Sequence, residues 1–333
     1  MDMQRKDIAL VLSSGGPRGF AYIGAIEELL SRGYRITSVA GSSVGSLVGG
    51  IYAAGALDAF KQWLFALDNF KVMALMDVSI SRRYLVKGER VIEAIKKVVP
   101  DVDIRSLSIP YCAVATDLYT GEEIVFREGP LFDAIRSSIS IPSMFRPVKM
   151  GHRTLVDGGV VNTFPLDRVA RSGEDLLVGF NVNAVDAEHI NLFLQERERL
   201  TEEEMRMTEA ALSVKGSLIE RVKAVGARGQ ELVKERRAAR ELVSQSRSRR
   251  IPTDADDNYY TILDRSFSLM NHSLARLAVR CNPPDILVEM PFDAYSAISD
   301  YGRGAEIAEK GRELMAAALD RYEATAPLSG TDR

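Results

Sequence analysis

An α/β fold built on a mostly parallel central sheet is predicted by three observations in this 333-residue chain. Residues 8–12 form an unbroken apolar run bounded by polar and glycine residues, the pattern of a strand buried on both faces. Runs of that kind alternate with segments of helical spacing, which calls for right-handed crossovers between parallel strands. Residues 36–57 carry no charge over 22 positions, yet their five glycines, four serines and one threonine describe a buried strand, a sharp turn and a helix better than a membrane span.

In chain order, the expected elements begin with a strand at 8–12 and a helix over 19–30, where apolar residues recur at helical spacing. A short strand at 38–40 and a small-residue helix over 44–56 follow. Further strands are expected at 111–116, 123–126, 154–156 and 176–182. Helical periodicity returns at 266–277, then a late strand at 285–290 and a closing amphipathic helix over 305–322. Residues 187–257 interrupt this pattern. They hold almost no aromatic residue or proline and are dominated by helix formers and charges, so one or two long helices are expected. Charge is segregated along them: 186–209 carry eight acidic and three basic residues, 215–250 eleven basic and four acidic. The resulting domain reading is a core of 1–186 and 258–325, a charged helical insertion at 187–257 and a disordered tail at 326–333.

A chain that is 46% apolar and 27% charged buries a sizeable core and is not intrinsically disordered. Its net charge of -3 removes the case for a globally basic nucleic-acid binder, so no nucleic-acid partner is expected. Two cysteines, Cys112 and Cys281, cannot build a disulfide framework, and the N-terminus shows no signal-peptide pattern. A reducing, cytoplasmic setting is expected.

The sharpest local signal is Gly41-Ser42-Ser43-Val44-Gly45, a G-x-S-x-G between an expected strand and an expected helix. That context suits a nucleophile elbow: the central Ser43 sits on a strained turn, and Gly41 and Gly45 let neighbouring backbone approach. The following helix aims its unpaired N–H groups at the side chain. Directly after the first strand, Ser13-Ser14-Gly15-Gly16-Pro17-Arg18-Gly19 forms a loop able to present N–H groups to an anion. A dinucleotide site would want glycine where Ser14 stands and an acid ending the next strand, and a P-loop would want Gly-Lys-Ser/Thr. An oxyanion site needs only that the loop stand beside Ser43. For the base, a hydrolase triad would have to use His189 or His272, and both are poorly placed; His152 lies five residues before Asp157. Asp157, in Val156-Asp157-Gly158-Gly159, is either turn chemistry or a base, and the latter requires it to be desolvated and bonded directly to Ser43.

Taken together and in order, Ser14-Gly15-Gly16-Pro17-Arg18-Gly19, Gly41-Ser42-Ser43-Val44-Gly45 and Asp157-Gly158-Gly159 resemble the three blocks of bacterial patatin-like phospholipases. Ala115-Thr116-Asp117-Leu118-Tyr119-Thr120-Gly121 and Arg136-Ser137-Ser138-Ile139-Ser140-Ile141-Pro142 are similar to that family as well. The likeness covers residues 6 to about 183, with a weaker one over 284–322. It implies a three-layer α/β sandwich and a lipid acyl-ester hydrolase of phospholipase or lysophospholipase type. Ser43 would be the nucleophile, Asp157 the base, the amides of Gly15 and Gly16 the oxyanion hole, and Arg18 the brace of that loop. Ser14 departs from the family's usual glycine, and Pro17 offers no amide.

No metal and no cofactor are implied. The expected partner is a phospholipid or other fatty-acyl ester, whose chain would lie against Met144, Phe145 and Phe164, unless these are core. Peripheral contact with the inner membrane face and a homodimer are further expectations, attached to the insertion. Two readings stand beside hydrolysis: a transacylase using the same acyl-enzyme, and a catalytically silent scaffold acting through its charged helices.

Overall fold

A computed structural model describes residues 6–75, 77, 84, 86–186, 259–296 and 300–325, with scattered positions between 191 and 206. One compact unit comprises 1–184 and 263–333, and a second comprises 185–262. Most of the second, and with it the insertion expected over 187–257, lies outside the described residues, as does the tail at 326–333. Among the described residues no helix is long and apolar enough to cross a membrane.

The chain begins with β1 (Asp7–Leu12), a 3-10 turn (Gly16–Phe20) and α1 (Ala21–Ser31), then β2 (Arg35–Ser42) and α2 (Val44–Ala53). Helices α3 (Leu57–Phe65), α4 (Asn69–Leu75) and α5 (Glu89–Lys96) precede β3 (Tyr111–Asp117), β4 (Glu123–Phe126), α6 (Leu131–Ser138), β5 (Val148–Met150) and β6 (Arg153–Asp157). β7 (Leu176–Ala184), α7 (Tyr259–Cys281), β8 (Ile286–Pro291) and α8 (Gly304–Thr325) complete it.

Eight strands form one sheet in the order β5-β6-β3-β2-β1-β7-β8, with β4 also on β3. β1, β2, β3, β7 and β8 run parallel, while β4 and β6 oppose β3. Alternation along β1 divides the core: Ile8, Leu10 and Leu12 join the larger cluster with α1, α2 and α8, whereas Ala9 and Val11 join Phe164, Leu166 and Ala275 of α7. Both faces of the sheet are therefore covered, which makes the sandwich three-layered as expected.

The strands that lead to Ser43 and Asp157 meet through β3. β4 occupies one edge of β3 along 113–116. β2, against 111–114, and β6, against 115–117, must then share the other edge, end to end. Ser42 pairs with Val114 and Asp157 with Ala115, so the last residues of β2 and β6 abut.

Several boundaries differ from expectation. The helix expected at 19–30 begins at Ala21, because Gly16–Phe20 turn as a 3-10 segment with Pro17 in its first turn. The helix expected to reach 56 stops at Ala53: Gly55, at φ 72°, turns the chain, and the Ala56 N–H reaches back to the Ile51 carbonyl at 3.1 Å. Glycine takes that left-handed position without strain. The strand expected at 38–40 runs from Arg35 to Ser42, since its polar first residues still pair with β1.

Candidate active site

β2 delivers Ser43 at φ 53° and ψ -125°, a left-handed conformation that a non-glycine residue adopts only under strain. Close packing holds the turn: a Cβ on Gly41 would strike the Gly45 backbone, and one on Gly45 would strike the Leu12 carbonyl. Hydrogen bonds hold it as well. The Ser43 N–H donates to Ser138 Oγ at 2.9 Å, and Ser138 Oγ donates to the Val114 carbonyl at 2.5 Å. The Ser43 carbonyl accepts from Ser46 Oγ at 2.6 Å and from the Leu47 N–H at 3.1 Å. Neighbouring Ser42 is fully buried and its hydroxyl has no hydrogen-bond partner, so its role is packing beneath Gly158.

Because β2 and β6 abut, Ser43 Oγ donates directly to Asp157 Oδ2 at 2.5 Å. The other carboxylate oxygen accepts from the Gly159 N–H at 2.7 Å. The Asp157 backbone is pinned on both sides, its N–H on the Ser140 carbonyl at 2.9 Å and its carbonyl under Thr116 Oγ1 at 3.0 Å. Burial raises the Asp157 pKa to about 7, against the opposing pull of the Ser43 and Gly159 hydrogen bonds. A buried carboxylate poised there is basic enough to take a hydroxyl proton near neutrality.

The histidines stand apart. His152 is exposed in the turn that opens β6, at the opposite end of that strand from Asp157. His272 Nδ1 lies 2.8 Å from the Asn183 carbonyl, and His189 lies outside the described residues. No described histidine bonds Ser43 or Asp157.

The loop after β1 lies beside this pair. Gly15, at φ 154°, takes a backbone conformation that L side chains rarely adopt, and a Cβ there would also collide with the Val182 side chain. Arg18 is buried; its Nε donates to the Gly15 carbonyl at 2.9 Å and a second nitrogen reaches the Phe292 carbonyl. Desolvation pulls the guanidinium pKa down and Asp264 opposes this; the hydrogen bonds of Arg18 tie the Gly15 carbonyl to Phe292, just after β8. Ser14, the departure from glycine, has its place here: its hydroxyl pairs with Thr163 Oγ1 and its N–H donates to the Thr163 carbonyl at 2.8 Å.

Three supports of this loop were not anticipated from sequence. Asn183 Nδ2 donates to the Ser14 carbonyl at 2.7 Å, Tyr22 donates to the Ser13 carbonyl at 2.8 Å, and Thr163 pairs as described. Only Asn183 carried a signal, since Asn181 and Asn183 interrupt an otherwise apolar strand that is buried throughout β7's second half.

An apolar cavity of about 120 Å³ is lined by Gly16 and Ser43 together with Leu47, Phe60, Trp63, Phe145 and Tyr301 among others. Phe145 thus stands where an acyl-chain contact was expected. Phe164 does not: it is fully buried in the cluster on the other face of the sheet, beneath Gly179. Met144 is half-buried and is not part of the cavity wall. Among the described residues no group of three or more His, Cys, Asp or Glu could hold a metal ion.

Comparison with known proteins gives this geometry its relatives. A family model for patatin-like phospholipases matches residues 10–170. An uncharacterised NTE family protein of Mycobacterium tuberculosis is 33% identical over 341 residues, covering 95% of this chain and 92% of its own. A patatin-like phospholipase domain-containing protein of Caenorhabditis elegans is 31% identical over 56% of this chain and 14% of its own length. Patatin-like phospholipase domain-containing protein 6 of mouse is 27% identical over 56% of this chain and 14% of its own. VipD of Legionella pneumophila superposes with a TM-score of 0.44 and 13% identity, over 96% of this chain and 67% of that one. Full-length similarity at one-third identity, together with the family match that spans Gly15, Ser43 and Asp157, makes the chain a member of the bacterial patatin-like phospholipases of the NTE family.

Proposed function

We propose that the protein hydrolyses fatty-acyl esters of lipids through an acyl-Ser43 intermediate, with Asp157 as the only general base. The observation that carries this reading is the 2.5 Å hydrogen bond from Ser43 Oγ to Asp157 Oδ2, with Ser43 also lining an apolar cavity. Family membership supports lipid ester hydrolysis in general. The Ser-Asp pairing and the phospholipid or lysophospholipid substrate are our own assignment.

In the proposed reaction the acyl chain enters the cavity and its carbonyl carbon meets Ser43 Oγ. Oγ attacks as its proton passes to Asp157, and the carbonyl oxygen becomes an oxyanion. The amides of Gly15 and Gly16 stabilise that charge, helped by the N-terminus of α2; one such donor is typically worth about 10²–10³ in rate. Collapse expels the alcohol, which takes the proton from Asp157. Water then repeats the sequence on the acyl-enzyme and releases the fatty acid. Every group needed for this comes from Gly15, Gly16, Ser43 and Asp157, with Arg18 holding the loop and Gly41 and Gly45 the elbow.

We extend the reading to the rest of the chain: residues 1–186 and 258–325 form the catalytic core, 187–257 form an insertion that binds anionic lipid or a second copy, and the protein works in the cytoplasm. A transacylase would use the same intermediate with an alcohol in place of water. The experiment is to supply lysophospholipid and phospholipid in mixed micelles to the wild type and to Ser43→Ala, with and without an alcohol acceptor. Free fatty acid from the wild type alone supports hydrolysis; acyl transfer as the dominant product favours the transacylase; no turnover by either favours a silent scaffold.

A further inference from the structure

One buried amide in β7 is only half satisfied. Asn183 is fully buried, and among the described residues its Oδ1 has no hydrogen-bond partner, an arrangement that weakens a fold rather than supporting it. Its backbone is pinned: the N–H donates to Asn181 Oδ1 at 3.0 Å, and the carbonyl lies 2.8 Å from His272 Nδ1. Its Nδ2 serves the loop after β1, donating to the Ser14 carbonyl at 2.7 Å and to Ser13 Oγ at 3.2 Å. The residue stands beyond positions 10–170, which carry the family match.

A trans peptide sends its C=O and the following N–H in opposite directions. In the sheet, β1 lies between β2, which delivers Ser43, and β7. Drawing the Ser14 carbonyl toward β7 therefore turns the Gly15 N–H toward the Ser43 side. Arg18 acts likewise one peptide further on. Its Nε holds the Gly15 carbonyl, while another nitrogen reaches the carbonyl of Phe292, which is itself bonded to the end of β7 through the Ala184 carbonyl at 2.8 Å. The Gly16 N–H then faces the other way, and Gly16 lines the cavity together with Ser43. Gly15, at φ 154° and ψ 18°, lets two successive carbonyls face one flank. Neither the Gly15 nor the Gly16 N–H donates to any described residue. Ser14 also stands beside the dyad, since a Cβ on Gly159 would meet both Ser14 Oγ and Asp157 Oδ1.

We propose that Asn183 is a positioning residue of the oxyanion hole: its amide aims the Gly15 N–H at the carbonyl oxygen that becomes negative when Ser43 attacks. This rests on the acyl-Ser43 reading above. The donor must be set before the charge forms, because a peptide that has to rotate to meet it stabilises the transition state less. Arg18 sets the Gly16 donor and Asn183 the Gly15 donor. Asn183 touches no substrate and moves no proton, so its effect is felt only where negative charge develops on the carbonyl oxygen.

The test is Asn183→Leu, close to the parent in size and without the donor, with Asn183→Ala beside it. Each deletes the two Nδ2 hydrogen bonds and the unpartnered oxygen together, and the Ser14 carbonyl keeps Ser13 Oγ at 2.9 Å, so both variants should fold and melt within a few degrees of the parent. Single-turnover acylation by a fatty-acyl p-nitrophenyl ester should slow about 10–100-fold at saturation, with the half-saturating concentration within about threefold. A trifluoromethyl ketone bearing the same acyl chain forms a charged tetrahedral adduct with Ser43. Its affinity should fall by the same factor as the acylation rate, while the plain methyl ketone, which binds as a ground state, should keep its affinity. Acylation within threefold of the parent in the folded variants would overturn the proposal. Equal losses for both ketones would overturn it too, because they mark a distorted site rather than a misaimed donor, and so would failure of both variants to fold. The underlying reading fails separately: a parent that forms no adduct with the trifluoromethyl ketone, or a Ser43→Ala protein that still acylates, would defeat the acyl-serine intermediate itself.

Discussion

Asp157 is a carboxylate whose charge the fold makes costly, and this has two measurable consequences. In the proposed mechanism activity requires the ionised form, so kcat/KM on a substrate that does not titrate should climb tenfold per pH unit below about 7 and level off above it. Stability moves the other way. With a folded-state pKa above the unfolded one, the native protein holds the extra proton between about pH 4 and about pH 7, so this residue's contribution falls as pH rises through that window and stays low above it. Asp157→Asn should therefore melt higher than the wild type at pH 8, the difference shrinking to nothing near pH 4. The same variant should lose at least about 10²-fold in turnover, the scale of removing a positioned base. His152→Gln and His272→Gln should each stay within about tenfold of the parent, an indirect effect by comparison. At this scale the elbow at Ser43 was legible in the sequence, because Gly41 and Gly45 flank it where backbone must come close, whereas Asp157 read equally as turn chemistry and was singled out only by the family resemblance. Phe164 was not, since an aromatic residue wanted by the core and one wanted by a cavity look alike until the faces of β1 are known.

Between elements, the decisive contact is the end-to-end meeting of β2 and β6 along one edge of β3, which no local pattern announces. It depends on β4 taking the opposite edge, and β4 and β6 are only four and five residues long. Ser138, at the end of α6, ties this junction by accepting from Ser43 and donating to Val114. Ser138→Ala would leave a buried N–H and a buried carbonyl unpaired, which costs about 1–3 kcal/mol. We expect its melting temperature to fall, and kcat to drop with KM little changed, as the elbow loses its hold on Ser43. The motif around 136–142 was visible in the sequence, but its purpose was not: a serine run says nothing of which carbonyl lies across the sheet. Helices α3 to α5 went unread for a related reason, being short and amphipathic with no chemistry to mark them.

On the scale of the whole molecule, the large alternations were readable because a parallel sheet covered on both faces leaves continuous apolar strands, and the order of strands was not because it is set by crossovers. Most of the charged stretch at 187–257 lies outside the described residues. Replacing it with a short flexible linker should leave turnover on soluble esters intact while weakening anionic-liposome sedimentation or self-association in sedimentation velocity; if neither changes, the stretch has neither role. The core's chemistry can be tested without it. The most direct measurement is labelling of the native protein with a fluorophosphonate, followed by mass-spectrometric mapping of the adduct. The account predicts a single adduct on Ser43, formed far more slowly in Asp157→Asn, whereas an adduct on another serine with Ser43 unmodified would contradict it.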